Sequence, residues 1–304
     1  MQKRRLAALA AVLGSALLWH CGGKSPASPT SPSTPGGGNN PNIPVAASAV
    51  ILAAGDVGEC GFGAHETAAL LDRLAGVILA LGDLAYMQGT AANYRDCYDP
   101  AWGRHLDRTR PVPGNHEYET AGASSFYDYF GGLAGPRGQG YYAFSAGPWR
   151  IIALNSEVPA GPGSAQGQWL RTELETNRTT CTLAYWHRPL FTSGPNGAPT
   201  DSTPRDLWRT LSDFGADVVL NGHDHMYERF APQDLDGRPS SSGIRQFIAG
   251  TGGAHSYNPG FPKANSEVRA KVYGILTMTL TSNSYQWEFV SNSAFRDTGS
   301  GTCH

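Results

Sequence analysis

Short apolar runs of strand length recur along the chain, at 49–54, 77–81, 141–145, 150–154, 182–186 and 218–220. Helical spacing fills several of the gaps. Over 66–74, Leu70, Leu71 and Leu74 share one side before Gly76, and over 164–176, Trp169, Leu170, Glu173 and Leu174 recur at helical spacing. Thr203 reads as an N-cap with Pro204 at the first helical position; Leu207, Leu211 and Phe214 then line one face up to Gly215. The C-terminal part reads as strands at 243–249, 272–281 and 284–290, with Tyr285, Trp287 and Phe289 alternating with Gln286, Glu288 and Val290. Strands alternating with helices, followed by a strand-rich tail, predict an α/β domain whose sheets are covered by helices. No internal repeat is visible, and one domain can use all of 46–304.

The residues before that domain have a different composition. Lys3-Arg4-Arg5 precedes a mostly apolar run of 14 residues ending at Trp19, too short for a bilayer span, which takes about 20. Residues 1–21 therefore read as an export signal. Leu18-Trp19-His20-Cys21 resembles a bacterial lipoprotein box, so lipidation of Cys21 is expected, with ordinary signal cleavage as the alternative. Residues 22–45, rich in Ser, Pro, Gly and Asn, read as a disordered tether. The picture is an exported protein of the cell envelope, periplasmic or held at the outer membrane by its lipid, or else secreted. The membrane would be touched only through that anchor, and nothing in the sequence fixes the oligomeric state.

Charge narrows the partners. Four of the 23 basic residues lie in the first 45 positions, so the rest of the chain carries 19 basic against 25 acidic residues. That balance argues against nucleic acid. Gly and Pro, 38 and 21 residues, make about a fifth of the chain and mark a loop-rich domain rather than a helical bundle. Cys60, Cys97, Cys181 and Cys303 are even in number and show no CxxC, which disfavours a zinc ribbon and fits an oxidising compartment. Of three pairings, Cys60–Cys97 with Cys181–Cys303 is favoured: the first would tie two loops near the site below, and the second would pin the C-terminal tail.

The chemistry lies in the loops at the strand ends. Five runs lead into Gly55-Asp56-Val57-Gly58, Gly82-Asp83-Leu84-Ala85-Tyr86, Gly114-Asn115-His116-Glu117, His187-Arg188-Pro189 and Gly222-His223-Asp224-His225. Each block alone is an ordinary turn, because Gly permits positive φ and Asp or Asn bonds its own backbone. Together they deliver Asp, Asn, His and Tyr to the carboxyl ends of strands, where α/β sites assemble, and they point to a metal site.

These five blocks resemble the GDxG, GDxxY, GNH[DE], xxxH and GHxH motifs of the purple acid phosphatases, within the calcineurin-like metallophosphoesterases. The resemblance implies a four-layer α/β/β/α sandwich and two metal ions. One ion would be held by Asp56, Tyr86 and His225, the other by Asn115, His187 and His223, with Asp83 bridging. His116 would serve as acid/base or donor beside the phosphate. The implied reaction is hydrolysis of a small phosphomonoester by a metal-bound hydroxide, an acid phosphatase activity. Alternatives are a phosphodiesterase or nucleotidase on the same scaffold, or a non-catalytic surface lipoprotein. A serine hydrolase is disfavoured by the lack of a G-x-S-x-G elbow.

Gly58 stands where many metallophosphoesterases carry a ligand histidine, and Tyr86 replaces it. A phenol has pKa about 10 and needs a strong Lewis acid to stay ionised near neutrality. Asp56, Asp83 and a tyrosinate supply three negative charges; Fe(III) with a divalent ion and one hydroxide leaves a net +1 for an incoming phosphate. The expected pair is Fe(III) at Tyr86 with Zn, Fe or Mn beside it. Arg188, directly after a ligand, and His255, on the loop Gly250-Thr251-Gly252-Gly253-Ala254-His255, are candidate substrate-binding residues.

Overall fold

Alternation within each strand sets the layers. In β1 (Ser48–Ala54), Ile51 and Ala53 face one way, Leu52 and Ala54 the other, and all four are buried. In β2 (Val77–Leu81), Leu79 and Leu81 join Ile51, while Ile78 and Ala80 join Leu52. Strands buried on both faces need unbroken apolar runs, which is why these segments stand out in the sequence. This is a computed structural model, and it describes residues 48–197 and 202–304. The export signal, the tether and Cys21 lie outside the described residues.

β3 (Thr109–Val112) extends the parallel trio β1–β2–β3. On the other side of β1, β11 (Ile275–Thr281), β12 (Ser284–Val290) and β13 (Thr298–Thr302) add antiparallel, giving the order β13-β12-β11-β1-β2-β3. The second sheet runs β10-β8-β9-β7-β6-β5-β4. Its strands are β4 (Tyr142–Ala146), β5 (Trp149–Ala153), β6 (Thr182–Tyr185), β7 (Val218–Asn221), β8 (Tyr227–Phe230), β9 (Arg245–Ala249) and β10 (Ser266–Ala270). β5, β6, β7 and β9 are parallel.

The inward residues of the two sheets form one core: Ile51, Leu79 and Met278 meet Ile151, Leu183, Leu220 and Phe247. Outside the first sheet lie α1 (Phe62–Leu71), the single turn α2 (Ala91–Asn93) running into a π-helical turn at Tyr94–Tyr98, and α3 (Ser124–Phe130). Outside the second lie α4 (Ala165–Thr176) and α5 (Thr203–Asp213), which bury Leu170, Leu174, Leu207 and Leu211 against Ile152, Ala184 and Val219. The α/β/β/α sandwich is therefore present.

Some boundaries differ from expectation. α1 starts four residues before the expected 66 and loosens at its end into short-range turns, Arg73 and Leu74 donating to Leu70 and Leu71. Thr203 is the first helical residue of α5 rather than its cap; Ser202 precedes it and makes no side-chain cap bond. Both expected disulfides are present: Cys60–Cys97 ties the loop after β1 to the π-helical turn, and Cys181–Cys303 ties the entry of β6 to the chain end after β13. Among the described residues, no helix is long and apolar enough to cross a membrane.

Candidate metal centre

Every one of the five motif blocks lies on a loop after a parallel strand, β1, β2, β3, β6 or β7, and the two sheets bring those loops to one end of the sandwich. The backbone there is unusual. Asp56, Asp83 and His223 adopt positive φ of 61, 51 and 73°. Non-Gly residues avoid that region, and strain of this kind persists only where the surroundings over-determine it. The glycines before the ligands have a different task from permitting a turn. A Cβ on Gly114 would lie 2.3 Å from Asp83 Oδ1, and one on Gly222 would lie 2.7 Å from Asp56 Oδ2. They are glycines because the neighbouring carboxylates need the space.

Two groups of donors face each other across Asp83. In the first, the Tyr86 hydroxyl donates to Asp56 Oδ1 at 2.8 Å, lies 3.0 Å from His225 Nε2 and 3.3 Å from Asp83 Oδ2. In the second, His187 Nε2 lies 3.1 Å from Asp83 Oδ2, 3.1 Å from Asn115 Oδ1 and 3.2 Å from His223 Nδ1. Asp56, Asp83, Tyr86, His187 and His225 are buried, and Asn115 and His223 are half-buried.

The histidines are oriented from behind. His187 Nδ1 is 2.9 Å from the Leu81 carbonyl oxygen, and His225 Nδ1 is 2.7 Å from that of His255. Each Nδ1–H donates there, so each Nε2 presents a lone pair forwards, the arrangement of a metal-ligating imidazole. His187 Nε2 then points at a carboxylate oxygen, an amide oxygen and another imidazole nitrogen. Such a convergence calls for positive charge at its centre, a metal ion or a proton on His187, so these residues fit a metal site.

The charges agree. Burial lowers His187, but Asp83 overrides it and lifts the imidazole to about 10. His223 is pushed down to about 3 by burial and then by His187 and Arg188. Burial works to raise Asp83, yet His187 and then His116 hold it well below the usual carboxylate range. Burial, then Asp56 and Asp83, push the Tyr86 phenol well above 10, so only a strong Lewis acid would ionise it.

Glu117, within the third block but given no role from the sequence, organises the site from beneath. Its fully buried carboxylate accepts from the backbone N–H of Asp83 and Leu84 at 2.9 Å, Ala85 at 3.3 Å and Gly114 at 2.7 Å, and from the Tyr94 hydroxyl at 3.1 Å. It joins the loop carrying Asp83 and Tyr86 to the loop carrying Asn115. Burial and then the Asp83 charge push its pKa up.

A cavity of about 350 Å³ opens over the donors, lined by Asp83, Asn115, His116, Arg188, Asn196, His223, His225 and Tyr257. His116 Nδ1–H donates to the Met87 carbonyl oxygen, and its Nε2 lies 3.8 Å from Asp83 Oδ2 at the mouth. Arg188 is gripped by Glu157, whose Oε1 is 3.0 Å from Nε. His255 departs from expectation: its loop reaches the site, but its ring is exposed and its carbonyl does the work. Tyr257, two residues on, and Asn196 line the cavity without having stood out in the sequence. A second cluster, Cys181 with Asp217 and Cys303, offers no thiolate because its cysteines form a disulfide.

Residues 49–227 match the calcineurin-like phosphoesterase family. The chain belongs to this family. Such phosphoesterases use a dinuclear metal centre, and the donor set here is of that kind. Purple acid phosphatase 15 of Arabidopsis thaliana is 27% identical to this phosphoesterase over 214 residues, 59% of the chain and 40% of that protein. The chain thus spans well under half the length of that curated relative. Purple acid phosphatase PPD1 from yellow lupin superposes with a TM-score of 0.73 at 15% identity, over 83% of this chain and 53% of that one. GAP50, the anchor in the inner membrane complex of Plasmodium, gives 0.65 at 14% identity, over 85% and 90%. At these identities the structural likeness speaks for the fold alone.

Proposed function

We propose that the protein is an exported phosphomonoesterase of the acid phosphatase type. The observation that carries this reading is Tyr86. Its hydroxyl lies between Asp56 and His225 where the first block, ending in Gly58, provides no histidine. In this reading Asp56, Tyr86 and His225 hold one cation, Fe(III), and Asn115, His187 and His223 hold a divalent one, with Asp83 shared. Two such cations would polarise the phosphoryl oxygens and lower the pKa of bound water.

The remaining steps belong to the chain itself. Arg188, fixed by Glu157, neutralises and orients the phosphate in the cavity. His116, anchored at Nδ1 by Met87, turns Nε2 inwards and hands a proton to the departing alcohol oxygen. The buried carboxylates Asp56 and Asp83 keep the donors close at a cost in self-repulsion that bound cations relieve. Export, with lipid attachment at Cys21, is part of the same proposal, supported by two disulfides that an oxidising compartment permits. The test is hydrolysis of a phosphate monoester against a diester by the metal-loaded protein.

A further inference from the structure

Tyr257 stands outside the donor set, yet it is built into the site. Its ring stacks on His225, with centroids 4.4 Å apart and planes 11° from parallel. Its backbone N–H donates to the His225 carbonyl oxygen at 3.0 Å, while His225 Nδ1 donates back to the carbonyl of His255. Wherever His225 sits, Tyr257 sits with it.

The wall around it is fastened to the loop that carries His225 and to β8, the strand that follows. Asp224 accepts from the Thr192 hydroxyl and, at 3.4 Å, from the Asn196 N–H. Glu228 accepts from the Ser193 N–H at 2.9 Å and its hydroxyl at 2.6 Å. Gly260 N–H then donates to the Ser193 carbonyl at 2.8 Å, joining the segment around Asn196 to the one after Tyr257. This is a wall held by buried carboxylates, not a loose loop.

The Tyr257 hydroxyl is aimed but not spent. It lies 3.4 Å from His225 Nε2, beyond the range of a good hydrogen bond. That nitrogen carries the lone pair offered to a cation, so once it is engaged it accepts nothing. The Asn196 amide, on the same wall, donates to the His223 carbonyl oxygen at 3.1 Å. The phenol O–H is a donor, and Tyr257 lines the cavity.

We propose that Tyr257 is a substrate-binding residue, its hydroxyl donating a hydrogen bond to a phosphoryl oxygen of the ester on the His225 side of the cavity. The inference rests on the phosphoesterase reading above and adds a contact to it. It also gives the wall a purpose: Asp224 and Glu228 hold the segment with Thr192, Ser193 and Asn196, and the stack on His225 keeps Tyr257 in register with the centre.

The test measures binding of inorganic phosphate by calorimetry to the metal-loaded full chain, with metal content and Tm read in parallel, for wild type, Tyr257→Phe and Tyr257→Leu. Phenylalanine keeps the stack and removes only the hydroxyl. The expected result is unchanged metal content and Tm in Tyr257→Phe, with phosphate bound about tenfold more weakly, the size of a lost hydrogen bond to a charged group. Phosphate affinity in Tyr257→Phe within twofold of wild type overturns the inference, and metal loss confined to Tyr257→Leu would then mark the ring as a purely structural support. Wild-type protein that carries two metals and binds no phosphate removes the functional reading itself and this inference with it.

Discussion

Replacing Glu117 with Gln should loosen both ligand loops at once. Its carboxylate has no cationic partner among its hydrogen bonds and accepts from five donors. Oε1 takes Leu84 N–H, Ala85 N–H and the Tyr94 hydroxyl; Oε2 takes Asp83 N–H and Gly114 N–H. The best rotamer of Gln keeps the three bonds at Oε1 and sets its NH₂ against the two donors at Oε2. Two buried N–H groups are then unpaired, at about 1–3 kcal/mol each. The gain from no longer burying a raised-pKa carboxylate offsets part of that. The net expectation is a loss of about 2–4 kcal/mol, which for a domain of this size lowers Tm by roughly 5–15 °C. Because the loops carry Asp83, Tyr86 and Asn115, metal affinity should also fall, by about 10–100-fold. Thermal unfolding in chelator measures the first effect, and titration with metal measures the second. A variant that unfolds within about 0.5 kcal/mol of wild type and keeps its metals would refute the idea that Glu117 organises the site.

Two further expectations rest on single residues. Iron-loaded protein should show a visible tyrosinate-to-iron absorption band, and Tyr86→Phe should bleach it; colour that survives the substitution assigns the ligand elsewhere. Asp297 accepts from the Tyr227 hydroxyl at 2.7 Å, Arg229 Nε at 2.8 Å and Trp287 Nε1 at 3.2 Å. Burial works against its charge, but Arg229 and Tyr227 hold its pKa below 3.8. The ionised form therefore contributes stability that is fully present above pH 3.8 and is lost as pH falls through the depressed pKa. Asp297→Asn should cost about 2–4 kcal/mol at pH 7, and urea unfolding should show the gap to wild type closing below pH 3.8; a gap constant down to pH 2 contradicts the pairing.

The features legible in the sequence divide from the rest along physical lines. β1, β2 and β7 announce themselves because both faces are buried, and β12 because Tyr285, Trp287 and Phe289 face the core while Gln286 and Glu288 face water. β10 and β13 were not legible. They are edge strands, one of them Thr-Gly-Ser-Gly-Thr, with little side-chain burial to impose a pattern. The π-helical turn and α3 were hidden because their order comes from long-range aromatic packing of Tyr94, Tyr98, Tyr129 and Phe130. The seven proposed ligands were visible because each follows a strand beside a small or polar turn signal, and the structure gathers all of them. Glu117 was in view but mute, since its partners are backbone groups on another loop. For the Gly-rich loop after β9 the sequence pointed to His255, whereas the ring that enters the cavity belongs to Tyr257.

The most direct test of the central claim compares initial rates on a nitrophenyl phosphate monoester and on the bis-nitrophenyl diester, using metal-loaded full-length protein with Asp83→Ala as control. Asp83 stands between the two donor groups and its carboxylate is the one both approach. The monoester should be hydrolysed faster, and activity should be abolished in Asp83→Ala. Preference for the diester would contradict the phosphomonoesterase assignment, and undiminished activity in Asp83→Ala would contradict the metal centre itself.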